Sequence, residues 1–154
     1  MSAFREDLLQ GKVGLVTGGG TGIGKEIART LGRHGARVCI CSRKSENLEQ
    51  AVAELEAEGV ECLRVRCDIR QPDQVQHVVA EVLARWNRLD ILVNNAAGNF
   101  PAPLSRISPN GFKTIVEIDL LGTYNCSRLV FDAWLRDHGG EIVNISAPFE
   151  GKGA

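Results

Sequence analysis

A glycine-rich run at residues 17–24, Thr-Gly-Gly-Gly-Thr-Gly-Ile-Gly, restricts the fold of this chain more than any other feature. It follows an apolar stretch of strand length, and after it Ile23, Ile27, Ala28 and Leu31 recur at helical spacing. Between a strand and a helix, glycines let the backbone approach a pyrophosphate, and the helix N-terminus supplies N–H donors to it. A glycine-rich string alone would favour a flexible turn, but this context predicts dinucleotide binding.

The rest of the chain alternates in the same way between apolar segments of strand length and segments of helical period, a pattern typical of βαβ units. We therefore expect an α/β fold of the Rossmann type, a doubly wound parallel sheet with strand order 3-2-1-4-5, in a single domain covering residues 1–154. Strands are predicted at 12–17, 37–42, 61–67, 89–94 and 141–146, with helices between them, an irregular loop at 98–108 and a long helix from 109 to about 138.

Charge and cysteine content exclude several classes of partner. The net charge is −1 and the pI is about 6.3, so we expect no nucleic-acid or membrane partner and a small-molecule ligand that is held locally. The cysteines form no CxxC pair and the histidines have no metal-ligand spacing, so no metal site is expected. With no apolar run of membrane-spanning length and no secretory signal, the expected location is cytoplasmic, although a peroxisomal address at a missing C-terminus would not be seen.

Three motifs together resemble the short-chain dehydrogenase/reductase family over essentially the whole chain. They are the spacing TGxxxGxG, the sequence Asn-Asn-Ala-Ala-Gly at 94–98 after strand four, and Gly-Glu-Ile-Val-Asn-Ile-Ser at 140–146. In this family the position of Asp68 and Ile69, after strand three, usually contacts the adenine ring. The resemblance implies that the cofactor is bound by Gly18, Gly19, Gly20, Thr21, Gly22, Ile23, Asp68, Ile69 and Asn95.

The end of strand two selects between NAD and NADP. An acidic residue there would accept hydrogen bonds from the ribose 2′-OH and favour NAD, but this chain has Ser42-Arg43. Arginine can bind a 2′-phosphate through charge-assisted, bidentate hydrogen bonds. We therefore predict NADP(H) as the cofactor, the alternative being that Arg43 is only a solvated surface charge.

A narrower resemblance connects residues 95–100 and 118–125 with the peroxisomal-type 2,4-dienoyl-CoA reductase branch of the family. That branch uses an aspartate, at the position of Asp119, to organise the water that donates a proton. A carboxylate among apolar neighbours is suited to proton transfer if it is buried. Helix statistics alone favour the alternative that Asp119 lies on the solvated face of an amphipathic helix.

The same resemblance implies that Arg70 binds a phosphate of CoA and that Phe100 contacts the conjugated acyl chain. Each has an ordinary alternative, a surface arginine and a packed loop residue. Where many family members have Ser-Ser, this chain has Ser146-Ala147, which does not favour a serine-assisted ketone reductase.

The family's YxxxK segment would follow strand five, and no such segment occurs up to Ala154. We therefore expect the C-terminal part of the family fold to be absent and the apolar residues of strand five to be exposed. The predicted function is an NADPH-dependent reductase of unsaturated fatty acyl-CoA, catalytically incomplete as given, from a homo-oligomeric family of dimers or tetramers. Two alternatives stay open, a 3-oxoacyl or generic carbonyl reductase and a noncatalytic dinucleotide-binding or oligomerisation fragment.

Overall fold

The computed structural model describes residues 4–98 and 102–146, which form a five-stranded parallel sheet with helices on both faces. The strand order is β3-β2-β1-β4-β5, as predicted. The strands are β1 (Val13–Thr17), β2 (Arg37–Ser42), β3 (Cys62–Arg66), β4 (Ile91–Asn94) and β5 (Glu141–Asn144). The first three helices are α1 (Gly22–Arg33), α2 (Ser45–Ala57) and α3 (Pro72–Trp86).

Alternating side chains of β1 divide the core into two layers. Val13 and Leu15 pack with α3 and the long helix described below, whereas Val16 packs with α1 and α2 on the other face. All five residues of β1 are buried, which is expected of a central strand covered on both faces. The predicted apolar face of α3, Val75, Val78, Val79 and Val82, is buried as well.

The long helix at residues 109–138, here called α4, begins as predicted and is less regular than predicted. Ser108 is its N-cap and accepts a hydrogen bond from Gly111 N at 3.0 Å. The backbone is α-helical at Pro109–Val116, Thr123–Val130 and Arg136–His138 and π-helical at Glu117–Gly122 and Phe131–Leu135. A short 3-10 helix, Leu104–Arg106, lies within the loop before it. Periodicity in the sequence gave no sign of the two π-helical turns.

Apolar side chains remain exposed on α4 and along β5. On α4 they are Phe112, Leu120, Leu121, Tyr124 and Phe131. On and after β5 they are Ile142, Val143 and Ile145, which are 38%, 45% and 43% exposed, as expected for an edge strand without a further neighbour. No helix in the described part of the chain is long and apolar enough to cross a membrane.

At the amino ends of the strands, the carboxylate of Asp90 has several polar partners. Asp90 is 7% exposed and accepts a hydrogen bond from Val13 N at 2.9 Å. Arg88 donates to both of its oxygens, at 2.8 and 2.7 Å, and Lys12 Nζ lies 3.6 Å away. Here this group of four residues is called the basal cluster. It ties the start of β1 to the segment that leads into β4.

Candidate cofactor-binding site

A cavity of about 470 Å³ lies at the carboxyl ends of β1, β2 and β4, where ligands bind in doubly wound sheets. It contains nearly all of the predicted cofactor residues. Those that line it are Gly18, Gly20, Thr21, Gly22, Ile23, Arg43, Asp68, Ile69 and Asn95. Gly19 is buried just behind the lining, where a Cβ atom would lie 2.6 Å from Ile40 Cγ2.

The glycine turn has a backbone that other residues would not readily adopt. Gly18 and Gly22 have positive φ angles of +64° and +53°. Gly24 is required for a different reason, since a Cβ atom there would lie 2.4 Å from both the Gly18 carbonyl oxygen and Asn95 Nδ2. The turn therefore folds back on the first turn of α1 with no room for a side chain.

Thr17 and Asn95 join the glycine turn to the loop after β4. The Thr17 hydroxyl accepts hydrogen bonds from the backbone N–H groups of Asn95 and Ala96, both at 3.0 Å. The Asn95 side chain returns a hydrogen bond to the Thr17 carbonyl at 3.0 Å. Asn95 thus supports the shape of the turn in addition to lining the cavity.

The first turn of α1 faces the cavity without a side-chain cap. Thr21 is the N-cap residue, and its hydroxyl accepts no capping hydrogen bond. The first N–H groups of a helix have no partner within the helix and carry partial positive charge, which suits an anion. Ile23 is 67% exposed, and although it begins the apolar pattern of α1 it borders the cavity and does not pack in the core.

The end of β2 supplies positive charge to the same cavity. Arg43 and Lys44 are exposed and line it, together with Ser42 and with Asn47 from the first turn of α2. Gly20 faces this group, because a Cβ atom on it would lie 3.3 Å from Asn47 Cβ and 3.4 Å from Ser42 Oγ. No acidic side chain is present at the position where one would select NAD.

Asp68 and Arg70, which were assigned to different ligands, bind each other in the structure. Arg70 Nε donates to both Asp68 oxygens, at 2.9 and 3.1 Å. This hydrogen bonding holds the pKa of Asp68 below its ordinary value and raises that of Arg70. Between them Ile69 is buried against α4, where Gly122 leaves room for its side chain, and Asn125 donates to the Ile69 carbonyl at 3.0 Å.

Asp119 lies in the first π-helical turn of α4 and is exposed, as expected if it lies on the solvated face of the helix. It is nevertheless not a free surface charge, since its Oδ1 accepts a hydrogen bond from Gly98 N at 2.8 Å. The preceding residue, Ile118, is buried, lines the cavity and fills the space beside Gly98. Asp119 therefore anchors the loop after β4. Phe100, the other predicted substrate residue, lies outside the described residues.

Sequence reasoning missed several residues of this site, among them Lys44, Asn47 and Ile118, which line the cavity. Lys44 and Asn47 had a readable signal, because they closely follow the β2 position that selects the cofactor. Ile118 had none, because its approach depends on how α4 packs against the loop after β4.

A family profile described as "short chain dehydrogenase" matches residues 12–153. The chain is 48% identical over 145 residues to the peroxisomal 2,4-dienoyl-CoA reductase [(3E)-enoyl-CoA-producing] of Danio rerio, covering 94% of this chain and 48% of that protein. The chain thus spans about half the length of the curated relatives that it matches.

Solved structures give the same result for the fold. The citronellol catabolism dehydrogenase AtuB of Pseudomonas aeruginosa PAO1 matches with a TM-score of 0.88 and 40% identity, over 93% of this chain and 59% of that one. The F189W actinorhodin polyketide ketoreductase, solved with NADPH, matches with a TM-score of 0.86 and 37% identity, over 88% and 53% of the two chains. Both the predicted sheet order and the resemblance to this family are confirmed.

Proposed function

The chain belongs to the short-chain dehydrogenase family, and we propose that residues 1–154 form the NADP(H)-binding domain of a reductase that acts on unsaturated fatty acyl-CoA. The observation that carries this proposal is the cavity at the carboxyl ends of the strands, where the glycine turn, the uncapped start of α1 and Arg43 meet. Each of these features suits one part of a phosphorylated dinucleotide.

The residues present fit the cofactor. Gly18, Gly22 and Gly24 keep side chains out of the space next to the first turn of α1, which suits a pyrophosphate. Asp68 and Ile69, the residues assigned to adenine, line the same cavity. Arg43, at the end of β2, is placed to receive a 2′-phosphate, which an aspartate at the same point would repel.

The proposal of an acyl-CoA substrate depends on the relatives and on Asp119. The Danio rerio relative is named for reducing a 2,4-dienoyl-CoA to a (3E)-enoyl-CoA. Bound NADPH supplies a hydride, and for that product the hydride must reach the far end of the conjugated diene while a proton adds next to the thioester. Asp119 would orient the water that gives this proton, and Arg70 and Phe100 would contact the CoA and the acyl chain.

Arg70 can bind a CoA phosphate only if its contact with Asp68 loosens or is shared. Its Nε and Nη2 both donate to the Asp68 carboxylate, and the remaining N–H groups of the guanidinium stay available to an anion. Arg70 also lines a second, smaller cavity beside α4, together with Gln71, Glu117 and Leu121.

We further propose that α4 contributes to a homo-oligomer, because five large apolar side chains are exposed along it. The cytoplasmic location expected from the sequence stays a prediction, while the Danio rerio relative is named as peroxisomal. Microscopy of the gene's full-length product with a tag at either end distinguishes the two locations.

Titration of the chain with NADPH and NADH, followed by nicotinamide fluorescence, tests the cofactor. We expect NADPH to bind at least about tenfold more tightly than NADH, and Arg43→Gln to remove most of that preference, because a charge-assisted hydrogen bond contributes about 1.5–3 kcal/mol. Equal affinity for the two dinucleotides, unchanged in Arg43→Gln, would contradict NADP(H) as the cofactor.

Turnover of a 2,4-dienoyl-CoA by the gene's full-length product tests the substrate and Asp119 together. The substitution Asp119→Asn removes the charge but keeps a side-chain oxygen that can accept the hydrogen bond from Gly98 N, so the contact with the loop after β4 is preserved. We expect kcat to fall about 100-fold, the lower end of general acid–base effects, and Asp137→Asn, at the far end of α4, to leave it unchanged. Full activity of Asp119→Asn would exclude a catalytic role, and reduction of 3-oxoacyl-CoA alone would favour the carbonyl reductase.

A further inference from the structure

Strand β3 carries an arginine to the point where the proposed 2′-phosphate site begins. In the parallel pairing of β2 and β3, Ser42 is opposite Arg66, so Arg66 lies beside the last residue of β2. Its Nε donates a hydrogen bond of 3.1 Å to the carbonyl oxygen of Arg43. This contact ties the main chain of Arg43 to the neighbouring strand.

Arg66 completes a group of three exposed cations, with Arg43 and Lys44, here called the cation cluster. Within the described part of the chain, none of the three forms an ion pair with a carboxylate within 4.0 Å. The charge of Arg43 contributes to the lowered pKa of Asp68, but that carboxylate is hydrogen-bonded to Arg70. The cation cluster therefore offers a bound dianion positive charge that no direct ion pair neutralises.

The next arginine along the same face of β3 shows the contrast. Arg64 and Arg66 are exposed, whereas Val65 between them is buried on the other face. Arg64 has a carboxylate partner, since its Nη1 lies 3.4 Å from Glu49 of α2. Two arginines of one strand therefore differ in their surroundings, one paired to a helix and the other directed to the end of β2.

We propose that Arg66 is a second determinant of selection for NADP(H), a positioning residue that holds the Arg43 main chain and adds charge to the cation cluster. This rests on the proposed function and names a residue through which the cofactor is chosen. With Nε bonded to the Arg43 carbonyl, the remaining N–H groups of its guanidinium stay available to an anion. Arg43 is thereby presented from a fixed backbone, which lowers the entropy lost when it binds the phosphate.

The test measures binding and does not depend on turnover. NADPH and NADH affinities are determined for the wild-type chain, Arg66→Gln and the matched control Arg64→Gln, which removes the same charge from the same strand. We expect Arg66→Gln to weaken NADPH about tenfold, equivalent to 1.4 kcal/mol, and NADH less than about twofold. Arg64→Gln should change neither by more than about twofold. Adenosine 2′,5′-bisphosphate, which carries a 2′-phosphate, should lose affinity in Arg66→Gln as NADPH does. ADP, which lacks that phosphate, should compete equally well in the wild type and in Arg66→Gln.

Each outcome supports or overturns the role of Arg66. Equal weakening of NADPH and NADH in Arg66→Gln would show that the residue only maintains the loop, and an equal loss in Arg64→Gln would show a general effect of charge; both overturn it. A wild-type chain without preference for NADPH would contradict the proposed cofactor itself. A wild-type preference that persists in Arg66→Gln would contradict only this inference. Thermal unfolding of both variants establishes that they are folded.

Discussion

The two ends of the sheet differ in whether their charged side chains have partners within the fold. At the amino ends, the basal cluster encloses Asp90 with a backbone N–H, Arg88 and Lys12. At the carboxyl ends, Asp68 is paired with Arg70, but within the described residues no member of the cation cluster forms an ion pair within 4.0 Å, and the glycine turn beside it leaves the start of α1 uncapped. Charge that is neutralised inside the fold stabilises it, whereas charge and N–H groups left without partners are available to a ligand.

The pKa of Asp90 shows how complete the neutralisation is. Burial by itself raises the pKa of this carboxyl, but the hydrogen bonds from Arg88 and Val13 N, with the nearby charges of Arg88 and Lys12, outweigh burial and hold it below 3.8. The ionised form is therefore favoured in the folded protein. If the two ends of the sheet differ as described, substitutions at one end should change ligand binding and those at the other should change stability.

The largest effect is expected from Gly24→Ala, which tests the carboxyl end. The added methyl group would meet the Gly18 carbonyl in the turn and the Asn95 side chain, which joins the turn to the loop after β4. We expect NADPH affinity to fall at least about 100-fold, with about 1–3 kcal/mol lost from the free energy of unfolding through overpacking. The matched control is Gly32→Ala in the same helix, whose methyl group would meet only the Val60 side chain.

Gly32→Ala should also destabilise the chain but leave NADPH affinity unchanged in the folded protein. Titration with NADPH, with chemical denaturation followed separately in its absence, distinguishes the two variants. Equal affinities of Gly24→Ala and Gly32→Ala for NADPH would remove the glycine turn from the binding site.

Asp90→Asn is expected to have the next largest effect, on stability alone. Loss of the charge leaves Arg88 without its partner, and we expect the free energy of unfolding to fall by about 2 kcal/mol near neutral pH. Since the pKa of Asp90 is lower in the folded than in the unfolded chain, its contribution is full above 3.8 and is lost as the pH falls from there through the folded value.

Urea denaturation across the acid range checks both parts of this prediction. The difference between wild type and Asp90→Asn should be constant between about pH 5 and pH 8 and should shrink below about pH 4. A difference that grew in acid would contradict the account of the basal cluster. So would a change in NADPH affinity of the folded variant.

Lys12→Met should have the smallest effect. Lys12 is about half exposed and its Nζ lies 3.6 Å from the buried Asp90 carboxylate, and a long contact from a solvated lysine contributes about 0.2–1 kcal/mol. We expect a loss of about 0.5 kcal/mol that decreases in high salt, with NADPH affinity unchanged. A loss as large as that of Asp90→Asn would mean that Lys12, not Arg88, neutralises the carboxylate.

The fold and most of the candidate site could be predicted because their signals are local. The glycine turn, the apolar period of α3 and the residue that ends β2 can each be identified within a few positions of sequence. Strand β2 was predicted with its observed bounds, 37–42. Strands β3 and β4 are shorter than predicted, although the flanking residues Glu61, Cys67 and Asp90 still form backbone hydrogen bonds with the neighbouring strand.

What the sequence did not reveal depends on contacts between distant segments. The mutual binding of Asp68 and Arg70, the hydrogen bond from Gly98 to Asp119 and the contact of Arg66 with Arg43 all follow from packing. Asp119 has apolar neighbours in the sequence, and which of them face inward depends on the π-helical turn, where Ile118 and Gly122 are buried and the carboxylate is exposed. Helical period does not show such a turn, because one extra residue in a turn shifts the face that follows.

The central claim is that NADP(H) binds at the carboxyl end of the sheet and that the amino end takes no part. Titration of the ¹⁵N-labelled chain with NADPH, followed in amide correlation spectra, tests both halves of that claim together. We predict that the amides of Gly18, Gly22, Gly24 and Arg43 shift strongly and that those of Val13 and Asp90 do not. Strong shifts at Val13 and Asp90 with none in the glycine turn would contradict it.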